Sequence, residues 1–142
     1  MLTRIPPEQV SDQWPVISFA IEQSLPPFVT ISETYMSSIL ASLLVGKLTC
    51  WVSTNKSGTI DAIATTQIIF DESSGTSSLL IYSTYGFGHI EDQSWVSAFT
   101  TISAYAKNMK CQKVSCYTTN DRIIEQAKKF GGEMQTFISF NL

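Results

Sequence analysis

Positive charge is scarce in this chain. Its 142 residues include nine lysines and arginines, which form no run, and the formal net charge is −3. The sequence pI is about 5.0. Nucleic acids and anionic membranes bind basic surfaces, so we expect neither of them as a partner.

Cysteine and histidine are also rare. The chain has three cysteines, Cys50, Cys111 and Cys116, and a single histidine, His89. Any disulfide scheme leaves one thiol unpaired, and a core of this size needs no cross-link. The spacing of Cys111 and Cys116 does not fit the usual zinc knuckle. We therefore expect free thiols, a reducing compartment and no metal site.

Long apolar segments are missing as well. The longest stretch, residues 39–45, is far shorter than the roughly 20 residues of a membrane-spanning helix. Pro6, Pro7 and Glu8 stand where a secretory signal has its apolar region. No repeat, low-complexity tract or linker interrupts the sequence. These absences predict one domain over residues 1–142, located in a cytoplasm and without a membrane partner.

The segment from Ser78 to Gly132 has the pattern strand, loop, helix, strand, helix. Its long helix carries a stripe at the helical period, made of Trp95, Ala98, Phe99, Ile102, Tyr105, Ala106 and Met109. We expect Trp95, Phe99, Ile102 and Tyr105 to face a sheet. Two strands that flank one helix form a βαβ unit, so these strands are predicted to be parallel.

The N-terminal part predicts an extended start and two helices. Ile5 fits a short edge strand, and Ser11 is a candidate N-cap for the first helix. Ser32 is a candidate cap for the second helix, which Gly46 is well placed to end.

Alternating apolar residues predict the remaining strands. Turns at 55–58 and 71–75 separate three of them. A last strand is predicted from Met134 to Phe140. The element order is therefore α-α-β-β-β-α-β-α-β, which predicts an α/β (α+β) fold with a mixed sheet and one parallel βαβ unit.

A ligand is expected beyond the carboxyl end of strand 79–84, because ligands collect there in sheets with parallel strands. The loop at 85–93 lies at this end and leads into the long helix. Gly86 and Gly88 permit close backbone approach, and a helix N-terminus favours anions.

The charges of this loop oppose an anion. Glu91 and Asp92 can cap the helix themselves. No lysine or arginine lies between Lys56 and Lys107. The loop is therefore either a self-capped turn or a poor anion site.

The element order, the segment 106–114 after the long helix, and the strand, helix and glycine turn of 117–132 resemble the GNAT (acyl-CoA N-acyltransferase) superfamily. In length, in its short N-terminal part and in its Ser/Thr-rich strands, the chain is also similar to small GNAT-like proteins of tailed phages and prophages. The resemblance implies that acetyl-CoA binds where the parallel strands separate. The residues that it implies for this cofactor are Ile81, Tyr82, Ser83 and Thr84 along the pantetheine, Gly86 and Gly88 at the pyrophosphate, and Asn120.

The chain departs from the family pattern in its loop and in its catalytic groups. The loop lacks the family's leading basic residue, and Ala127 stands where the family often has a tyrosine that protonates the leaving thiolate. The glycine turn has Gly132 in place of the usual phenylalanine. Strand 76–84 has no carboxylate, which leaves Asp61 on a neighbouring strand and His89 as candidate bases.

Three functions follow from these observations. The first is a GNAT-fold protein with a degenerate acetyl-CoA site and little or no acetyltransferase activity. It would be a phage-type accessory or virion-associated protein that binds another protein or a second copy of itself. Its location would be the bacterial host's cytoplasm or the virion. The second is an acetyl-CoA-dependent N-acetyltransferase that acts on a small amine. The third is a small-molecule binding module or an inhibitor of a host factor.

Overall fold

The computed structural model describes residues 1–142. The strands are β1 (Leu2–Ile5), β2 (Leu48–Thr54), β3 (Ile60–Asp71), β4 (Thr76–Gly86) and β5 (Lys113–Cys116). The helices are α1 (Pro7–Val10), α2 (Trp14–Glu22), α3 (Glu33–Leu44), α4 (Asp92–Asn108) and α5 (Asp121–Lys129), with a 3-10 turn at Ser11–Gln13 before α2.

One mixed sheet organises the chain. Its strand order is β1-β2-β3-β4-β5. The first four strands pair antiparallel, whereas β4 and β5 pair parallel. The mixed sheet and the parallel βαβ unit are therefore confirmed, and Ile5 lies in an edge strand as expected.

The two faces of the sheet carry different helices. Helices α1, α2 and α3 cover one face, and the apolar cluster there includes Ile17, Ile21, Leu43 and Ile63. Helix α4 covers the other face, where Trp51, Leu79, Ile102 and Ala106 pack together. No helix is long and apolar enough to cross a membrane.

Local signals set the helix boundaries. The Ser32 hydroxyl accepts the N–H of Tyr35 and caps α3, as expected. Gly46 follows α3 with φ +79°, a conformation that favours glycine. The prediction that Ser11 caps the first helix is wrong. Helix α1 begins earlier, at Pro7, where a proline is tolerated because the first turn needs no N–H donor. Ser11 lies in the 3-10 turn, and the N-cap of α2 is Gln13.

The expectation for the long helix is wrong at Phe99. Ile102 and Ala106 are buried against the sheet, but Phe99 is 38% exposed. Its ring instead stacks on Phe130 after α5, with the two ring centroids 4.6 Å apart. The apolar stripe is therefore shared between the sheet and α5, which lies beside α4.

The predicted last strand from Met134 to Phe140 is also wrong. Residues beyond α5 form neither helix nor strand. An alternating pattern needs an edge to pair with, and β5 offers only four residues. Phe137 packs on Phe28 and Tyr117 instead, at ring-centroid distances of 5.1 and 5.2 Å.

Candidate functional site

Strands β4 and β5 separate where β5 ends. Their pairing ends at Ile81 and Cys116. Strand β4 continues to Gly86, so its residues beyond Ile81 have an unpaired edge on the β5 side. The result is a gap that opens toward the loop after β4. We call this opening the strand gap.

A β-bulge lies where the strand gap begins. Thr65 pairs with Ser83 while Thr66 pairs with Ile81, which leaves Tyr82 as the extra residue. The hydroxyls of Thr65 and Ser83 are 2.6 Å apart and buried, which fixes the register beyond the bulge. A bulge bends its strand and re-aims the neighbouring backbone groups. The four predicted residues from Ile81 to Thr84 therefore line the start of the strand gap.

The loop between β4 and α4 presents a row of free donors. The backbone N–H groups of six successive residues, Gly88 to Gln93, have no acceptor within the protein. Gly88 has φ +118°, which a residue with a Cβ rarely adopts. A Cβ on Gly86 would lie 2.8 Å from Cδ1 of Ile90. The two predicted glycines therefore shape a loop whose N–H groups can receive an anion.

Glu91 does not cap α4, contrary to expectation. It occupies the N-cap position but accepts no hydrogen bond through its side chain. Asp92 accepts a long hydrogen bond of 3.5 Å from Nε2 of Gln126. The side chains of these acids thus leave the N–H groups of the first turn free.

Arg122 is the residue that the sequence did not point to. It lies on the first turn of α5, and its Nη2 donates to the carbonyl of Ile90 over 2.9 Å. Its guanidinium also lies over the Trp95 ring, 5.8 Å from the centroid. The Arg122 side chain on α5 therefore holds the loop between β4 and α4, which comes earlier in the chain. The only signal for this contact was the position of Arg122 just after the N-cap of a helix at the same sheet edge.

His89 and Asn120 lie around this cation. His89 is exposed, and its Nδ1 is 3.4 Å from Nη2 of Arg122. Asn120 is the N-cap of α5, and its Oδ1 accepts the N–H of Arg122 over 3.0 Å. The structure thus brings His89, Gly88 and Asn120 to one end of the strand gap, and Asn120 positions the turn that carries Arg122.

Asp61 carries an unusual buried carboxylate. Its Oδ1 is buried without a hydrogen-bond partner, and its backbone carbonyl accepts the N–H of Phe87. Phe87 lies five residues beyond Tyr82, which corresponds to about 16 Å along an extended strand. Asp61 and His89 therefore lie toward the loop end of β4 and not at the bulge.

A cavity opens at the bulge, between α3 and the sheet. Its volume is about 360 Å³. Tyr82 forms one wall, so the cavity meets the start of the strand gap. Burial raises the pKa of the Tyr82 hydroxyl, which keeps its proton near neutral pH. The other lining residues are Phe28, Val29, Tyr35, Ser38, Ile39, Ser42, Lys47, Leu48 and Gln67. We call this space the α3 cavity.

Several acetyltransferases of known structure resemble this chain along its whole length. A probable acetyltransferase has a TM-score of 0.74 at 10% identity, covering 100% of this chain and 96% of its own. A predicted acetyltransferase from Clostridium acetobutylicum, solved with acetyl-CoA, has a TM-score of 0.71 at 15% identity, with 99% and 95% covered. A GNAT family acetyltransferase from Staphylococcus aureus has a TM-score of 0.62 at 7% identity, with 100% and 96% covered.

No protein-family model and no curated protein matches the chain. Identities this low speak to the fold alone, and the fold matches over nearly the whole length of these chains. The chain therefore has the fold of the GNAT acetyltransferases.

Proposed function

We propose that this protein binds acetyl-CoA in the strand gap and transfers the acetyl group to an amine. The observation that carries the proposal is the combination of an unpaired β4 edge with six free N–H groups at its loop end. The edge offers hydrogen bonds to a pantetheine arm, and the loop offers donors to a pyrophosphate. Arg122 supplies a positive charge beside those donors.

Transfer in such a site depends mainly on orientation. The neutral amine attacks the thioester carbonyl carbon, the carbon–sulfur bond breaks, and coenzyme A leaves as a thiolate. Ala127 cannot protonate that thiolate. The α3 cavity, which adjoins the strand gap at Tyr82, has no carboxylate or histidine in its lining that could accept the amine proton. The amine proton therefore goes to solvent, and the thiolate takes its proton from solvent. Holding the two reactants together can supply much of the rate without a general acid.

The experiment is a calorimetric titration with acetyl-CoA of the wild type, Arg122→Ala and Lys129→Ala. Lys129 is exposed at the end of the same helix, so its removal changes the net charge equally. We expect micromolar binding by the wild type, at least about tenfold weaker binding by Arg122→Ala, and no change for Lys129→Ala. Equal affinities in all three proteins, or no binding by the wild type, would contradict the proposal.

A second candidate function is a degenerate site in a protein that acts by binding other proteins. It is favoured by Glu91 and Asp92 beside the free donors, and by the exposed apolar residues Met134, Ile138 and Phe140 after α5. This role covers the phage-type accessory or virion-associated protein considered above, with a partner protein or a second copy as its target and a bacterial cytoplasm or virion as its location.

The same titration distinguishes the two candidates. The double change Glu91→Gln with Asp92→Asn removes two charges that repel a phosphate. If Glu91 and Asp92 weaken the site, the wild type binds acetyl-CoA weakly and the double variant binds it at least about tenfold more tightly. If the site is intact, the wild type already binds in the micromolar range and the double change improves it only slightly.

A further inference from the structure

The α3 cavity contains one charged residue. Lys47 lines it just after the glycine turn that ends α3, and no aspartate or glutamate does. Lys47 is exposed and forms no ion pair within the protein. A cation without a partner at the rim of a cavity is suited to bind an anionic group of a ligand.

The other walls are polar on one side and apolar on the other. Ser38 and Ser42 follow each other by one turn of α3, so both hydroxyls lie on the same helix face. Phe28, Ile39 and Leu48 supply apolar surface. The cavity thus combines an anion-binding residue, hydroxyl groups and an apolar wall within one small-molecule volume.

We propose that the amine acceptor is a free amino acid with an apolar side chain. Its carboxylate pairs with Lys47, its side chain packs against the apolar wall, and its amine points toward Tyr82 and the start of the strand gap. This inference rests on the proposed function, because the strand gap defines where the acetyl group arrives.

The same lining excludes other classes of acceptor. Polyamines and aminoglycosides carry several positive charges, and proteins bind such ligands with carboxylates that this cavity lacks. Lys47 repels them. The amide of an amino acid keeps the shape and the amine but lacks the negative charge, so it isolates the contribution of Lys47.

The first test compares leucine with leucinamide as acceptors at saturating acetyl-CoA, by release of coenzyme A. We expect leucine to be used at least about tenfold better in kcat/KM. Lys47→Gln should remove this preference by raising the KM for leucine. Lys56→Gln, in the exposed turn between β2 and β3, is the matched control and should retain the preference. A preference for leucinamide or spermidine, or an unchanged preference in Lys47→Gln, would overturn the inference.

A second test does not depend on the cofactor. Leucine is titrated into the labelled protein while backbone amide signals are followed by NMR. We expect shifts at Ser38, Ser42 and Lys47 with leucine, which disappear in Lys47→Gln and do not occur with leucinamide. Absence of these shifts would overturn the inference even if acetyl-CoA binds. If the shifts occur but acetyl-CoA does not bind, the proposed function fails, and leucine is a ligand of the α3 cavity but not an acetyl acceptor.

Discussion

At the scale of single residues, the three thiols illustrate how burial sets chemistry. Cys50 lies in the core beneath α1–α3, whereas Cys111 is half-buried and Cys116 reaches the surface. Burial raises the pKa of Cys50 from 9.0 to about 12. Neighbouring atoms that exclude water also raise the pKa of Cys116, although part of its side chain is exposed. Only the thiolate is nucleophilic, so burial makes Cys50 unreactive in the folded protein.

We predict that a thiol reagent at pH 8 modifies Cys111 and Cys116 in the folded protein and Cys50 only after unfolding. Mass spectrometry of the modified peptides checks the order. The same shift predicts a loss of stability between about pH 9 and pH 12, because the unfolded chain releases the Cys50 proton in that range and the folded chain retains it. The Cys50→Ala variant should lose less stability than the wild type between about pH 9 and pH 12, because it lacks this thiol. Rapid modification of Cys50 in the folded protein would contradict its burial.

At the scale of elements, α4 shows that one apolar stripe can serve two neighbours. Ile102 is 4% exposed and packs under the helix against the sheet. Phe99, less than one turn earlier, packs sideways on Phe130. The stripe correctly predicted a helix, but periodicity does not tell which part of a wide stripe meets which neighbour.

We predict that Ile102→Ala is the more damaging of two substitutions on this helix. It should cost about 2–5 kcal/mol of unfolding free energy, because it leaves a cavity in the core. Phe99→Ala should cost about 1–2 kcal/mol, the value of a partly exposed aromatic pair. Urea denaturation of both variants measures the two losses, and an equal or larger loss for Phe99→Ala would mean that this side chain is buried in solution.

At the scale of the whole molecule, the chain after α5 contributes little to the core. Residues 133–142 are exposed, and Phe137 makes the ring contacts that connect this segment to Phe28 and Tyr117. Since Phe28 also lines the α3 cavity, the segment lies near the proposed acceptor site.

We predict that a chain ending at Gly132 stays folded and loses no more than about 5 °C in Tm, since the removed residues are all exposed and Phe137 supplies their aromatic ring contacts. Its circular dichroism should keep the same helix and strand content. Phe137→Ala in the full chain is the control and should account for most of the change. A much larger loss from the truncation would mean that residues 133–142 form a strand of the sheet in solution.

The features that the sequence determined by itself are local. The cap at Ser32, the turn at Gly46 and the period of α4 were all predicted, because each depends on residues close together in the chain. The parallel βαβ unit followed from the order of its elements. The order of these elements also sufficed to predict the mixed sheet and the loop between β4 and α4.

Only the tertiary structure decided the features that join distant residues. Arg122 reaches the loop from α5, the bulge isolates Tyr82 through pairing with β3, and Lys47 shares a cavity with Tyr82. The prediction of a last strand failed for the same reason. An alternating apolar pattern specifies which face of a strand is apolar, but not whether a long enough sheet edge exists to pair with it. Contacts of this kind depend on the packing of the whole chain, which no local pattern encodes.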